Sequence, residues 1–468
     1  MYQSTSLSNR GYSISKEEVG TKELDTIKAE LTVSPFVLPE FNAVKQPPFR
    51  LYMESESRIY LPKYYGLKKF GVPATNKLTK KVAPISLQFT GILRPEQLEP
   101  VDKMLDACRN PAVAGGILNL FCGAGKTTMS LYVMCELGLK TLIVVHKDFL
   151  LTQWKERIEQ FVPGARIGMI KAKIVDVQEK DIVLASLQSL SMKTYDDNVF
   201  DGFGTVIIDE VHHTSAEVFS QALKKINALY SIGLSATVKR KDGLSKVFMW
   251  FLGDIIYKSE KRKDNVRVIV KDYYDPAPIY SREHFTFGDK LNIAKMINNV
   301  CNFFSRTEFM TKVLMDVLKK EPERKVLVLS DRRSHLDLLK QYYDRIGLSC
   351  GLYYGGLKAS VLAESESKQV ILATFAIASE GYDQKGLDTL VLASPKTDIV
   401  QSVGRILRDK EHERKHVPVV IDIVDKFSIF ERQGQKRVKY YKSCGYVVDY
   451  EPIHDNTPVS LKQGKCYL

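Results

Sequence analysis

The chain has 468 residues, 44% hydrophobic and 26% charged, which excludes wholesale disorder, collagen and coiled coil and suggests two to four domains. Lysine and arginine number 68 against 55 acidic residues, a formal charge of +13 that favours a polyanionic partner, with plain solubility as the alternative reading. Seven scattered cysteines, a polar Met1–Tyr12 start and no apolar run near the ~18–20 residues of a membrane span argue against a zinc or disulfide framework, secretion and membrane insertion. A soluble, intracellular protein in a reducing compartment is expected.

Residues 1–88 are rich in Pro, Ser and Tyr, and short strand-like pieces at Phe49–Met53 and Ile59–Pro62 suggest a small N-terminal accessory domain. Within it, Arg58, Tyr60, Lys63, Tyr64, Tyr65, Lys68, Lys69 and Phe70 interleave cations and aromatics. Such a segment can grip phosphates and stack on bases, or supply the core of a small β-domain with solvated lysines; both readings stay open.

From Gly91 β-branched runs alternate with amphipathic stretches. Gly116–Leu120, Thr141–Val145, Ile182–Ala185 and Thr205–Ile208 read as buried strands, and Thr128–Leu137 and Phe149–Phe161 as helices. This alternation predicts an α/β domain with a parallel sheet over residues 89–257. The charged run Lys258–Asp264 and the prolines 276 and 278 mark an expected inter-domain connection, residues 258–290, or else an exposed loop. The alternation then resumes, with strands at Lys325–Ser330, Gln369–Ala373, Thr389–Ala393 and Val417–Ile423 and a helix at Ser334–Ile346. A second α/β domain is therefore expected over residues 291–468. Its basic, aromatic tail Arg432–Lys442 reads as a terminal helix packed on that domain, with nucleic-acid contact as the alternative.

Three motifs carry chemistry. After the strand Gly116–Leu120 come Phe121, Cys122, Gly123, Ala124, Gly125, Lys126, Thr127 and Thr128, and then a helical pattern. Strand, Gly-rich turn, Lys-Thr and helix is the setting of a nucleotide phosphate loop. Its backbone N–H groups curl around phosphate, Lys126 neutralises the β- and γ-oxygens, and the Thr127 hydroxyl can hold Mg2+. Leu120 stands where the first consensus glycine would be. Second, the strand Thr205–Ile208 runs into Asp209 and Glu210, expected at an adjacent sheet position. Asp209 would hold Mg2+, and Glu210 would orient and deprotonate the attacking water. Third, Gln401 to Arg408 opens a helical pattern that would place Arg405 and Arg408, three apart, on one face as arginine fingers.

These motifs together resemble the superfamily-2 helicases. Further segments match in the family's order. Arg94 and Gln97, in Leu93–Gln97, look like the glutamine motif that reads adenine. Lys147 to Trp154 resembles motif Ia, and Ala185–Leu190 resembles the next nucleic-acid-contacting segment. Ser235–Thr237 matches motif III, and Ser330–Arg332 occupies motif IV. Ala373-Thr374 with Ser379–Asp383 resembles motif V. The resemblance spans about residues 91–425. It looks closest to the XPB-like branch, which includes UvsW-type phage helicases and poxvirus transcript-release helicases. Lys241 departs from that branch's signature at Arg240-Lys241-Asp242.

The resemblance implies two tandem RecA-like domains closing around ATP and Mg2+, with Gly381 and Asp383 adding to the nucleotide site. It implies that Gln401 meets His212 across the cleft, and that Lys147, Gln153, Ser186, Gln188, Ser330, Arg332 and Thr374 contact nucleic acid. The implied activity is an ATP-dependent nucleic-acid helicase or translocase, or else an ATP-gated remodeller without processive unwinding. DNA is expected ahead of RNA, in viral or phage transcription, recombination or repair. A monomer is expected, in host cytoplasm or nucleus, with the virion as a further location.

Overall fold

The computed structural model describes residues 2–35, 47–121, 123–196, 198–210, 215–236, 243–259, 264–287, 289–379, 384–409 and 411–451. The chain divides into two compact units, Met1–Lys261 and Arg262–Leu468.

The first unit opens with β1 (Ser6–Ser8) and β2 (Gly11–Ser15), followed by the short pair β3 (Thr32–Val33) and β4 (Phe49–Arg50). Next come β5 (Met53–Glu54), β6 (Arg58–Leu61) and β7 (Thr75–Asn76), and the accessory sheet has the order β5-β6-β2-β1-β7. The cation-aromatic segment after β6 is a helix, Lys63–Phe70, and its Tyr64, Tyr65 and Leu67 are buried. Tyr12 lies so close to Gly66 that a Cβ there would fall 2.2 Å from its ring.

The large sheet of this unit comprises β8 (Gly115–Asn119), β9 (Thr141–Val145), β10 (Ile167–Lys171), β11 (Ile174–Asp176), β12 (Ile182–Ser186), β13 (Thr205–Ile208), β14 (Tyr230–Ser235) and β15 (Ile255–Lys258). Their order is β11-β10-β12-β9-β13-β14-β8-β15, and only the β10–β11 pairing is antiparallel. Both faces are covered, so alternate residues of one strand enter different cores. Leu142, Val144, Val206 and Ile208 face one core, while Ile143, Val145 and Ile207 face the other.

The first of these cores is continuous with the accessory sheet. Tyr12, Ile14, Ile59 and Leu61 belong to the same buried cluster as Leu223, Val247 and Phe251. Lys63, 1% exposed, drives its ammonium into this junction, 2.6 Å from the Leu229 carbonyl oxygen and 3.1 Å from that of Ala228. The Tyr64 hydroxyl donates to the Ala114 carbonyl at 2.7 Å. The N-terminal segment therefore shares a core with the domain behind it, a departure from the expected separate accessory domain. Tyrosines placed on one face of a short helix can be buried only against a neighbour, and here that neighbour is the large sheet's flank.

The second unit comprises β16 (Arg267–Tyr273), the hairpin β17 (Phe285–Thr286) and β18 (Lys290–Leu291), then β19 (Val326–Ser330), β20 (Cys350–Tyr353), β21 (Val370–Thr374), β22 (Thr389–Leu392), β23 (Val419–Asp425) and β24 (Val447–Glu451). Its main sheet is parallel throughout, in the order β20-β21-β19-β22-β23-β16-β24. The expected connection, residues 258–290, instead contributes β16, paired over seven residues with β23. The charges and prolines flank that strand and do not enter it. The basic tail forms the helix Ser428–Ser443, packed through Phe430, Gly434, Arg437 and Tyr441. Its Arg437 meets Asp422 at 2.8 Å with both side chains buried. Two RecA-like α/β sheets in series are thus the architecture of the chain.

Candidate active site

The carboxyl ends of β8, β14 and β13 bring the first unit's motifs together. After β8 the chain turns through Gly123 (φ +89°) and Gly125 (φ +84°), left-handed conformations that favour glycine, into the helix Lys126–Leu137. Space above Gly123 is open: a Cβ there would meet nothing within 4 Å. Gly125 caps the helix, so the N–H groups of Lys126, Thr127 and Thr128 form its first turn, the positive end of the helix dipole.

Asp209 and Glu210 follow β13. Contrary to the expected adjacency, β14 lies between β13 and β8. The lysine side chain spans the intervening strand, and Lys126 Nζ stands 2.6 Å from Glu210 Oε1. Ser235, the first residue of the motif III match, ends that intervening strand, and its carbonyl accepts from Leu120 N at 2.9 Å. Ser235 thus sits between phosphate loop and acid pair. Glu210 has φ +49°, uncommon for a residue with a side chain and of the kind that gathers at functional sites.

Asp209 is held from two sides: Glu210 N donates to Oδ1 at 2.9 Å, and Trp154 Nε1 donates to Oδ2 at 2.9 Å. Each oxygen keeps acceptor capacity for a cation. Burial, then the neighbouring Glu210 charge, raises the Asp209 carboxyl above its ordinary range, against the opposing pull of Lys126. Trp154, the last residue of the motif Ia match, was not expected to touch the acid pair. One of two tryptophans in the chain, it is 1% exposed on the helix Asp148–Phe161, and a buried indole N–H calls for an acceptor. That was the available signal.

Arg94 and Gln97 brace the loop from outside. Gln97 Oε1 accepts from Arg94 N at 2.9 Å, and its Nε2 donates to the Ala124 carbonyl at 2.8 Å, as does Arg94 Nη2. A Cβ on Gly125 would lie 2.1 Å from Gln97 Nε2. Both residues therefore hold the phosphate loop's backbone, and Gln97 is buried.

The expected nucleic-acid contacts divide. Lys147 caps the helix Asp148–Phe161 and is exposed, Gln153 is half-buried on that helix, and Gln188 is exposed on the helix Leu187–Met192, which Ser186 caps. In the second unit Thr374 ends β21, half-buried. Ser330 departs from expectation. Its side chain is fully buried, 3.0 Å from His335 Nδ1, because it ends a strand whose following helix folds back over it. Arg332 is half-buried, its guanidinium tied to Asn298 and to the Ala294 carbonyl at 3.0 Å.

The arginine pair, three apart in helical backbone as expected, is unequally buried. The helix Val400–Gly404 tightens into a 3-10 turn over Arg405–Leu407. Arg405, 3% exposed, donates through Nε to the Ala378 carbonyl within its own unit, whereas Arg408 and Gln401 are half-buried. Gly381, Asp383, His212, Thr237 and Arg240–Asp242 lie outside the described residues.

The profile described as "Type III restriction enzyme, res subunit" matches residues 90–240, and "Helicase conserved C-terminal domain" matches residues 309–410. The "Putative ATP-dependent RNA helicase L396" of Acanthamoeba polyphaga mimivirus is 36% identical over 470 residues, covering 98% of this chain and 88% of that protein. The "Probable helicase D10" of Escherichia phage T5 is 28% identical over 343 residues, 70% of this chain and 72% of that one. The solved structure of T4 UvsW matches over 92% of this chain and 96% of its own at 20% identity, with a TM-score of 0.37. With a full-length relative at this identity and both helicase profiles in order, the chain belongs to the superfamily-2 helicases of large DNA viruses and phages, which are ATP-dependent enzymes.

Proposed function

We propose that the first unit hydrolyses ATP at the phosphate loop and that the chain uses this to move along or unwind a nucleic acid. The observation that supports it best is the 2.6 Å approach of Lys126 to Glu210 beside Asp209, with the open glycine turn next to them. Gly123 to Thr128 would seat the phosphates. Lys126 would neutralise their charge, and Glu210 would take a proton from the attacking water. The Thr127 hydroxyl and Asp209 carboxylate suit a hard, oxygen-preferring cation, and Mg2+ held by them would supply positive charge to offset that of the phosphates.

Arg408 is the finger candidate, with Gln401 before it. Arg405 acts as a positioning residue, since its guanidinium is engaged at Ala378. On the resemblance to the XPB-like branch, DNA is the proposed strand. The name of the mimivirus relative favours RNA. A monomer serving viral transcription or recombination machinery completes the reading.

ATPase rates with single-stranded DNA, duplex DNA and RNA as stimulants test it. Lys126→Ala should abolish hydrolysis, and Glu210→Gln should retain ATP binding while losing turnover by orders of magnitude. Normal turnover in Glu210→Gln would remove that residue from the role of base.

A further inference from the structure

The first unit contains a second charged cavity that the ATP chemistry does not use. It encloses about 540 Å³ between the accessory sheet and the segments after the helices Leu187–Met192 and Ala216–Leu223. Six cations line it: Arg10, Arg58, Lys77, Lys81, Lys224 and Lys225. Asp196 is the one carboxylate among the lining residues, and Lys81 is paired outside that set with Asp201 at 2.9 Å.

Three of the cations are held by carbonyl oxygens, which orient them without cancelling their charge. Lys225 Nζ caps the helix Leu187–Met192, 2.8 Å from Leu190 O, 3.0 Å from Ser191 O and 2.7 Å from Lys193 O. Arg58 donates to the Ser13 carbonyl at 3.2 Å and to that of Ser4, and Lys224 donates to Arg50 O. Arg10 is exposed, with its guanidinium 5.7 Å from the centre of the Tyr60 ring, and Lys77 is exposed. Tyr60 and Tyr195 add aromatic surface.

The location separates this cleft from the nucleotide site. Thr194, Tyr195, Asp196 and Phe200 precede the amino end of β13, and Lys224 and Lys225 precede that of β14. The phosphate loop and acid pair sit at the carboxyl ends of the same sheet. The helix carrying exposed Gln188 runs from that carboxyl edge to the cleft.

We propose that this cleft binds the phosphodiester backbone of a single strand of nucleic acid, a second grip outside the helicase motifs. The proposal rests on the helicase reading and extends it. A groove with an excess of cations beside aromatic rings is the chemistry of single-strand binding. The volume is that of a small-molecule site, roughly 300–1,000 Å³, and suits a strand better than a duplex.

The test uses the full chain and a fluorescein-labelled single-stranded oligonucleotide, titrated by anisotropy across a salt series. Arg10→Glu with Lys77→Glu should weaken binding at low salt about tenfold or more. It should also reduce the log–log salt slope by about 1.4, at ~0.7 per phosphate contact. An unchanged affinity and slope would overturn the cleft.

Should the double variant fold poorly, photocrosslinking of the wild-type chain to an iodouracil oligonucleotide gives an independent answer. Labelling of Tyr60 or Tyr195 supports the proposal, and labelling confined to other tyrosines overturns it. Absence of any nucleic-acid-stimulated ATPase in the wild-type chain would overturn the helicase reading and the proposal with it. Stimulated ATPase alongside an unaltered slope would sink the cleft alone.

Discussion

Trp154 and Lys63 show how single buried polar atoms constrain this molecule. The Trp154 indole spends its only donor on Asp209, so the ring both fills the core and aims a carboxylate. Trp154→Phe keeps an aromatic ring and deletes that donor. We expect a stability loss of roughly 0.5–3 kcal/mol from the smaller ring. We also expect the apparent Mg2+ requirement of hydrolysis to rise by about 10-fold or more, the scale on which outer partners of metal ligands act. A Mg2+ titration of ATPase activity checks this; an unchanged requirement would leave Trp154 a packing residue. Lys63 makes a different prediction. Burial draws its pKa down to about 7, whereas an unfolded lysine stays near ~10.4. Between those values the unfolded chain binds a proton that the folded chain does not, so stability should rise with pH there and level off below about 7. The increment is at most about 1.4 kcal/mol per pH unit. Denaturant unfolding at pH 7.5 and 9.5 should show it in the wild-type chain and not in Lys63→Met. Equal slopes would mean that the surrounding carbonyl oxygens keep the ammonium charged.

At the scale of elements, the most legible strands were those buried on both faces. Thr141–Val145 and Thr205–Ile208 read as unbroken β-branched runs because neither face meets water, and the structure has them at those bounds. Tyr230–Ser235 carries no clear strand signal because Ser231 and Gly233 dilute its apolar run, although its position between β13 and β8 sets the spacing of the whole site. Arg267–Tyr273 was hidden by charge and proline on either side of it. At the site, the glycine turn, Lys126 and the acid pair were legible because their chemistry depends on local spacing. The burial of Ser330 and Arg405 was not, since it depends on which distant segment folds over them. The tail helix shows the same split along one element. Arg437 is buried against Asp422, while Arg432 and Lys436 are exposed. Arg437→Ala should therefore cost about 3–5 kcal/mol by leaving a buried charge uncompensated. Arg432→Ala should stay within about 0.5 kcal/mol. Thermal or denaturant unfolding of the two variants would separate these outcomes.

For the whole molecule, the consequence concerns residues 1–88. As a self-contained accessory domain they could be removed while the basal ATPase of the remainder survived. The shared core argues otherwise. Removing them would strip Tyr12, Ile14, Ile59, Leu61, Tyr64 and Leu67 from the cluster that also holds Ile117, Val206, Ile208, Phe219 and Phe251. Ile117 belongs to β8, the strand that delivers the phosphate loop, and Ile208 immediately precedes Asp209. Lys63 and Tyr64 would also vanish from the Leu229, Ala228 and Ala114 carbonyls at the amino ends of β14 and β8. Each fully buried aliphatic or aromatic side chain exposed by the cut costs roughly 1.5–3 kcal/mol, and several together are comparable to the ~5–15 kcal/mol of a whole domain. We therefore expect residues 89–468 to express largely insoluble, or to melt far below the full chain, and to lose basal ATPase along with nucleic-acid binding. Soluble yield, thermal melting and ATPase of the truncated chain measure this directly. A soluble fragment with full basal turnover and a wild-type melting temperature would show that the sheet can close its own core and that the N-terminal segment is dispensable for the ATP site.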